Sequence, residues 1–175
     1  TMIELESGSS IHFEEYLVRD GAPTDVTDVD LSAAEAAEPA PGVLEAIARA
    51  GTILVCPSNP IVSIGPILAV RGIRAALKAV TAPIVAVSPI VSGAPIKGPA
   101  HTLMRALDIE VSALGVARCY SEWTGGFVFD EQDAALPGAT ETLGRHATCL
   151  DTMMVVARGS HYLARVVSRV AARHR

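Results

Sequence analysis

The sequence has no cluster of lysine and arginine. Lysine occurs only twice, and 14 basic residues stand against 19 acidic ones, for a net charge of −5. A protein that grips a phosphate backbone does so with grouped cations, so a nucleic-acid-binding role is excluded. Cysteine is sparse as well: Cys56, Cys119 and Cys149 are odd in number and far apart. They offer neither a disulfide framework nor a zinc spacing, which points to a reducing, cytoplasmic setting. Five histidines share no ligand spacing. The opening residues, Thr-Met-Ile-Glu-Leu-Glu, lack the basic segment and apolar core of a signal peptide. Residue 1 is not methionine, so a start inside a longer protein is expected.

Charge is missing altogether from two long runs, Ala50 to Val70 and Ala79 to Ile96. Neither reads as a membrane span. Pro57, Pro60 and Pro66 break the first, and Pro83, Pro89 and Pro95 break the second. A spanning helix needs about 20 predominantly apolar residues with its backbone bonded internally. These runs read instead as buried strands followed by loops. With 175 residues, 50% of them hydrophobic and 19% charged, the chain is long enough for one well-buried core and is not a disordered polyampholyte.

What is present is a repeat. Residues 1–42 read as a β-rich and loop segment, with Ser-Gly-Ser-Ser (7–10) turning between Met2–Leu5 and an extended Ile11–Val18. In that extended reading Glu14 and Glu15 point to opposite faces and are no catalytic pair. Residues 43–175 read as βα repeats. Val43, Leu44 and Ile47 share a helical face. Ile53–Cys56 and Ile84–Val87 are apolar runs of the kind buried on both faces of a parallel sheet. That reading makes Cys56 and Cys149 buried, inert thiols. Two Gly-Pro pairs, Gly65-Pro66 and Gly98-Pro99, recur at the spacing of a βα unit, with proline suited to a helix's first turn. Further strands are expected at Gly126–Asp130 and Ala147–Thr152. Ser112 caps a helix through Tyr120. A last amphipathic helix carries Tyr162, Leu163, Val166 and Val170 opposite Arg158, Arg165, Arg169 and Arg173. The fold class is α/β: an open, mostly parallel, Rossmann-like sheet with flanking helices.

In such sheets ligands bind beyond the carboxyl ends of the strands, near a switch in strand order. The loops at that edge carry Ser58 and Asn59, then Ser88 to Lys97, then Asp151 and Thr152. Ser63 stands just before a helix. Gly93 and Gly98 permit close backbone approach, and Lys97 at a helix start would be relieved by an anion. Phosphate or nucleotide binding follows. Plainer readings stay open beside it: a turn for Ser58-Asn59, a solvated lysine for Lys97, a helix cap or a pair with an arginine for Asp151, a loop role for Asp130 and Glu131.

The motifs 56–70 (Cys-Pro-Ser-Asn-Pro-Ile-Val-Ser-Ile-Gly-Pro-Ile-Leu-Ala-Val), 86–93 (Ala-Val-Ser-Pro-Ile-Val-Ser-Gly), 97–100 (Lys-Gly-Pro-Ala), 112–118, 126–130 and 151–154 (Asp-Thr-Met-Met) together resemble the family of 2-phospho-L-lactate and phosphoenolpyruvate transferases of coenzyme F-420 biosynthesis. Phe13–Val18 resembles the family's strand before its central loop. The resemblance covers the second half of the family's usual length. It lacks the Gly-Gly-Thr-Gly-Gly-type segment, so a protein of roughly twice this length is expected.

The resemblance implies transfer of a phospholactyl or phosphoenolpyruvyl group from a guanosine diphosphate ester to the ribityl hydroxyl of 8-hydroxy-5-deazariboflavin, with release of GMP. It implies Mg2+ as cofactor and a homodimer. It places catalytic residues, metal ligands and much of the deazaflavin site in the half not matched here. In this half it implies Ser58, Asn59 and Ser63 on the guanosine side. Ser88, Gly93, Lys97 and Gly98 fall on the phosphate or acid side, with Asp151 and Thr152 nearby. Arg71-Gly72 and Cys149-Leu150 depart from the family's usual residues without touching these groups. The same edge would also serve a non-enzymatic nucleotide- or nucleotide-sugar-binding regulator, and a half-domain with only a structural role is a further alternative.

Overall fold

A computed structural model describes residues 1–135, 146–154, 161, 164, 165 and 167–170. The chain opens with a small antiparallel sheet. Strand β1 (Met2–Leu5) is central, flanked by β2 (Ser10–His12) and β3 (Val26–Asp30). Ile3, fully buried, pins this sheet to the core. The extended segment expected over Ile11–Val18 stops at His12. Glu15–Arg19 instead forms a turn of π-helix, because Tyr16 turns inward, fully buried, and its hydroxyl donates to the Pro23 carbonyl at 2.9 Å. Glu14 and Glu15 are therefore successive residues of a helical turn, both exposed. Short helix α1 (Ser32–Glu35) and then α2 (Val43–Arg49) lead to the second sheet.

That sheet is the expected open parallel one, ordered β4 (Ile53–Val55), β5 (Ile84–Val87), β8 (Gly126–Asp130), β9 (His146–Leu150). Between β5 and β8 lies a small hairpin of β6 (Ile90–Val91) and β7 (Ala94–Pro95). The described strands run in sequence order, so no reversal of strand order falls among them. β5 and β8 are buried throughout. One face of them, with Ile84, Ala86, Phe127 and Phe129, joins the main core. The other, with Val85, Val87 and Val128, packs on Val167 and Val170.

Two expectations of burial fail. β4 is an edge strand of the described sheet, and Leu54 is 39% exposed on its open face. Cys56 lies just past the strand end and Cys149 on β9, the other edge strand of the described sheet, and both cysteines are exposed. The last helix does bury Val170 and expose Arg165 and Arg169. Tyr162, Leu163, Val166, Arg158 and Arg173 lie outside the described residues.

The crossover from β4 to β5 is a π-helical turn (Pro60–Ile64), α3 (Gly65–Ala69) and α4 (Ile73–Ala79). Among the described helices none is alone long and apolar enough to cross a membrane. Pro60–Ala69 and Ile73–Ala79 reach that length and composition only as a pair, bent by 85°. Ile61, Leu68, Ile73 and Leu77 are buried in the core, each worth roughly 1.5–3 kcal/mol.

From β5 to β8 the chain passes through the hairpin, α5 (Ala100–Ala106) and α6 (Ala113–Cys119). α6 begins as its sequence predicts. The Ser112 hydroxyl accepts from Gly115 N–H at 3.0 Å. The Glu110 carboxylate folds back to accept from the Ser112 hydroxyl and from Arg118, both at 2.6 Å. Glu110 lies so close that a Cβ at position 115 would overlap its carbonyl oxygen. Gly115→Ala is therefore expected to destabilise the protein by roughly 1–3 kcal/mol in denaturant titration. An unchanged midpoint would contradict this packing.

Candidate functional site

The parallel register sets the strand ends on one rim, and three of the loops leaving that rim meet. Pro57–Asn59 follow β4, Ser88 and Pro89 follow β5, and Thr152–Met154 follow β9. With Val62, Ser63, the segment Pro95–Ala100, Leu17 from the first π turn and Phe13 just before it, they enclose a cavity of about 690 Å³. That volume lies within the usual range for small-molecule sites. Of the nine residues named from sequence, seven line it: Ser58, Asn59, Ser63, Ser88, Lys97, Gly98 and Thr152. Gly93 and Asp151 do not. Gly93 sits at the exposed tip of the β6–β7 hairpin (φ 74°), and Asp151 turns away to accept from Met153 N–H at 2.9 Å.

The seven differ in what they have to offer. The Asn59 side chain caps the Pro60–Ile64 turn: Oδ1 accepts from the backbone N–H groups of Ile61 and Val62 at 2.9 and 3.3 Å. Both lone pairs are used, so only Nδ2 is left to face a ligand, as a donor. Ser88 is almost fully buried. Its hydroxyl donates to the Ile90 carbonyl at 2.8 Å and accepts from Ile90 N–H at 3.1 Å, closing the exit from β5. Thr152 spends its hydroxyl and its N–H on Asp130, at 2.8 and 3.0 Å. Ser58, Ser63 and Lys97 make no side-chain hydrogen bond or ion pair among the described residues, and Gly98 (φ 79°) meets nothing where a Cβ would be. Lys97 is not at the helix start. α5 begins at Ala100 with Pro99 as its cap, and the lysine lies in the preceding bend, exposed to solvent.

Lys97 is also the one charged residue among the described lining. In a chain of net charge −5, the described lining of this cavity carries a cation and no carboxylate. That is an anion's environment. It is not one for magnesium, which takes carboxylate and other oxygen ligands. Among the described residues no group of three His, Cys, Asp or Glu side chains could hold a metal ion. No step through Mg2+ is derived from this chain.

Sequence reasoning missed the apolar part of the wall, which is contributed by Phe13, Leu17, Val62, Ile96, Met153 and Met154. Ile96 and Met154 are more than half or half exposed at 59% and 50%, unusual for large apolar groups unless something covers them. It also left Asp130 as a loop residue. Asp130 ends β8, is 1% exposed, and accepts from Gln132 N–H at 3.1 Å as well as from Thr152. Burial is the largest single influence on this carboxyl and pushes its pKa up. The hydrogen bonds from Gln132 and Thr152 together outweigh it and hold the pKa below the usual carboxylate value.

Comparisons with known proteins identify the family and the fold. A family model described as 2-phospho-L-lactate transferase CofD matches residues 1–156. The chain belongs to the CofD family. The 2-phospho-L-lactate transferase of Methanosarcina mazei is 44% identical over 167 residues, covering 95% of this chain and 54% of that protein. The phosphoenolpyruvate transferase of Kitasatospora aureofaciens is 41% identical over 163 residues, covering 93% of this chain and 51% of that protein. This CofD chain thus spans about half the length of the curated relatives it matches. The crystal structure of protein BH3568 from Bacillus halodurans shares the fold, with a TM-score of 0.55 at 16% identity, over 95% of this chain and 57% of that one.

The depressed Asp130 carboxyl predicts a pH dependence. A group whose pKa is lower folded than unfolded stabilises the fold above its unfolded pKa, about 3.9. That stability is lost as pH falls through the folded value. The melting midpoint should therefore drop on acidification below about pH 4, and Asp130→Asn should flatten part of that drop. Asp20, Asp30 and Glu122 are lowered too but are open to solvent, so the difference between wild type and variant isolates Asp130. Identical acid profiles for the two proteins would contradict the assignment.

Proposed function

We propose that the full-length protein is a transferase of coenzyme F-420 biosynthesis. It moves a phospholactyl or phosphoenolpyruvyl group from its guanosine diphosphate ester to the ribityl hydroxyl of 8-hydroxy-5-deazariboflavin. The observation that carries this reading is a cavity whose described lining holds one cation and no anion, at the strand ends of a CofD-family fold. The relatives bearing the names 2-phospho-L-lactate transferase and phosphoenolpyruvate transferase supply the two candidate acid groups.

In the reaction the ribityl oxygen attacks the phosphorus that bears the acid moiety. The bond from that phosphorus to the bridging oxygen breaks, and GMP leaves with the electron pair. The hydroxyl proton passes to solvent or to a base, and a phosphodiester remains. This chain's part is to hold an anionic donor in line. Lys97 offsets charge on the diphosphate or the acid carboxylate. Gly98 lets backbone approach it. Ser58 and Ser63 donate hydroxyl hydrogen bonds on the guanosine side, and Asn59 donates through Nδ2 to an acceptor on the guanine edge. The half-exposed Ile96 and Met154 offer apolar cover for a flat ring such as the deazaflavin's.

In the full-length protein, Lys97→Ala should weaken GDP binding about tenfold at low ionic strength, with the gap narrowing as salt is added. Asn59→Asp, which keeps the cap but removes the donor, should weaken it by a similar factor. Calorimetric titration reads both. Wild-type affinity in the two variants would remove the nucleotide from this cavity. GDP binding without turnover of the deazaflavin and guanylated donor would make the protein a nucleotide-binding regulator instead.

A further inference from the structure

We infer that the turn after β8 is a two-armed carboxylate brace that holds two separate walls of the cavity in place, which makes Asp130 and Asp133 positioning residues for the transfer. The inference rests on the function proposed above. One arm is Asp130, whose Oδ2 accepts from Thr152 N–H at 3.0 Å and from its hydroxyl at 2.8 Å. Thr152, Met153 and Met154 form one wall. The other arm is Asp133, at the end of the short 3-10 turn Glu131–Asp133. Both its oxygens accept from Ser92 N–H, at 3.2 and 3.1 Å.

Ser92 is no ordinary loop residue. With φ of 49° it is one of three non-glycine residues in the left-handed region among those described, and Gly93 beside it has φ of 74°. Two successive left-handed residues are the signature of a tight hairpin turn. They join β6 to β7, in register Ile90 to Pro95 and Val91 to Ala94. β7 runs straight into Ile96, Lys97 and Gly98, which also line the cavity. The left-handed serine carries strain, and a charge-assisted hydrogen bond to its N–H offsets it. One rigid turn thus reaches 22 residues forward to Thr152 and 41 residues back to Ser92. No arm enters the cavity, and neither aspartate lines it, so their effect on a ligand acts through the segments they hold.

Asp133 is only partly buried and belongs to neither core cluster of the described residues, so Asp133→Ala should fold. In the full-length protein it should raise KM for the guanylated donor about tenfold with kcat nearly unchanged, because binding geometry rather than the reacting groups is disturbed. Asp133→Asn, which keeps one acceptor, should restore most of the loss. Hydrogen exchange should quicken over residues 90–98 in Asp133→Ala and over 151–154 in Asp130→Asn, with residues 57–63 unaffected. Wild-type KM in Asp133→Ala, or exchange unchanged in both variants, would overturn the brace. If the wild-type protein has no transferase activity, the functional reading fails by itself, and the exchange patterns decide the brace. If Asp130→Asn does not fold, the Asp133 arm decides.

Discussion

The structure depends on one constraint: four parallel strands in unbroken register. Ile53 pairs with Ile84, Val85 with Gly126, and Gly126 with His146. Parallel pairing forces every strand to leave the sheet at the same edge, and every return to cross the faces. The loops after β4, β5 and β9 therefore leave from one rim, where they line one cavity. Burial of β5 and β8 on both faces holds that register, since a slip of one residue would turn Val85 and Val87 out of one core and Ile84 and Ala86 out of the other.

On that edge the chain divides its polar groups between building and binding. Ser88, Thr152 and Asp130 satisfy one another or nearby backbone, and so cost little to bury. Lys97, Ser58, Ser63 and the Nδ2 of Asn59 have no such partners among the described residues. A buried hydroxyl with its bonds made shapes a wall, and an unengaged one can grip a ligand. The same distinction separates the residues that form the cavity from those with capacity left for a ligand.

Much of this was legible in the sequence where the signal was local. A continuous apolar run gave β5, and Gly126–Asp130 was read as β8 to the residue. Ser112 capped its helix because capping needs only the next three residues. The two crossover units placed six of their seven candidate residues on one cavity, and the segment after β9 added Thr152. What the sequence hid was non-local. Phe13–Val18 carries apolar residues that suit a strand or a helical turn, and the burial of Tyr16 decided for the turn. Ile53–Cys56 resembles β5 in composition, but its outer face and its end lie open. The grip of Asp130 on Thr152 and of Asp133 on Ser92 spans distant parts of the chain, with no spacing to announce it.

The most direct measurement is a nuclear magnetic resonance titration of the full-length, isotope-labelled protein with GDP. The account predicts that the backbone amides most shifted belong to Ser58, Asn59, Ser63, Lys97 and Gly98, at the carboxyl ends of the strands. Largest shifts at Ile84 and Gly126, where the strands begin, or no saturable shifts at all, would contradict it.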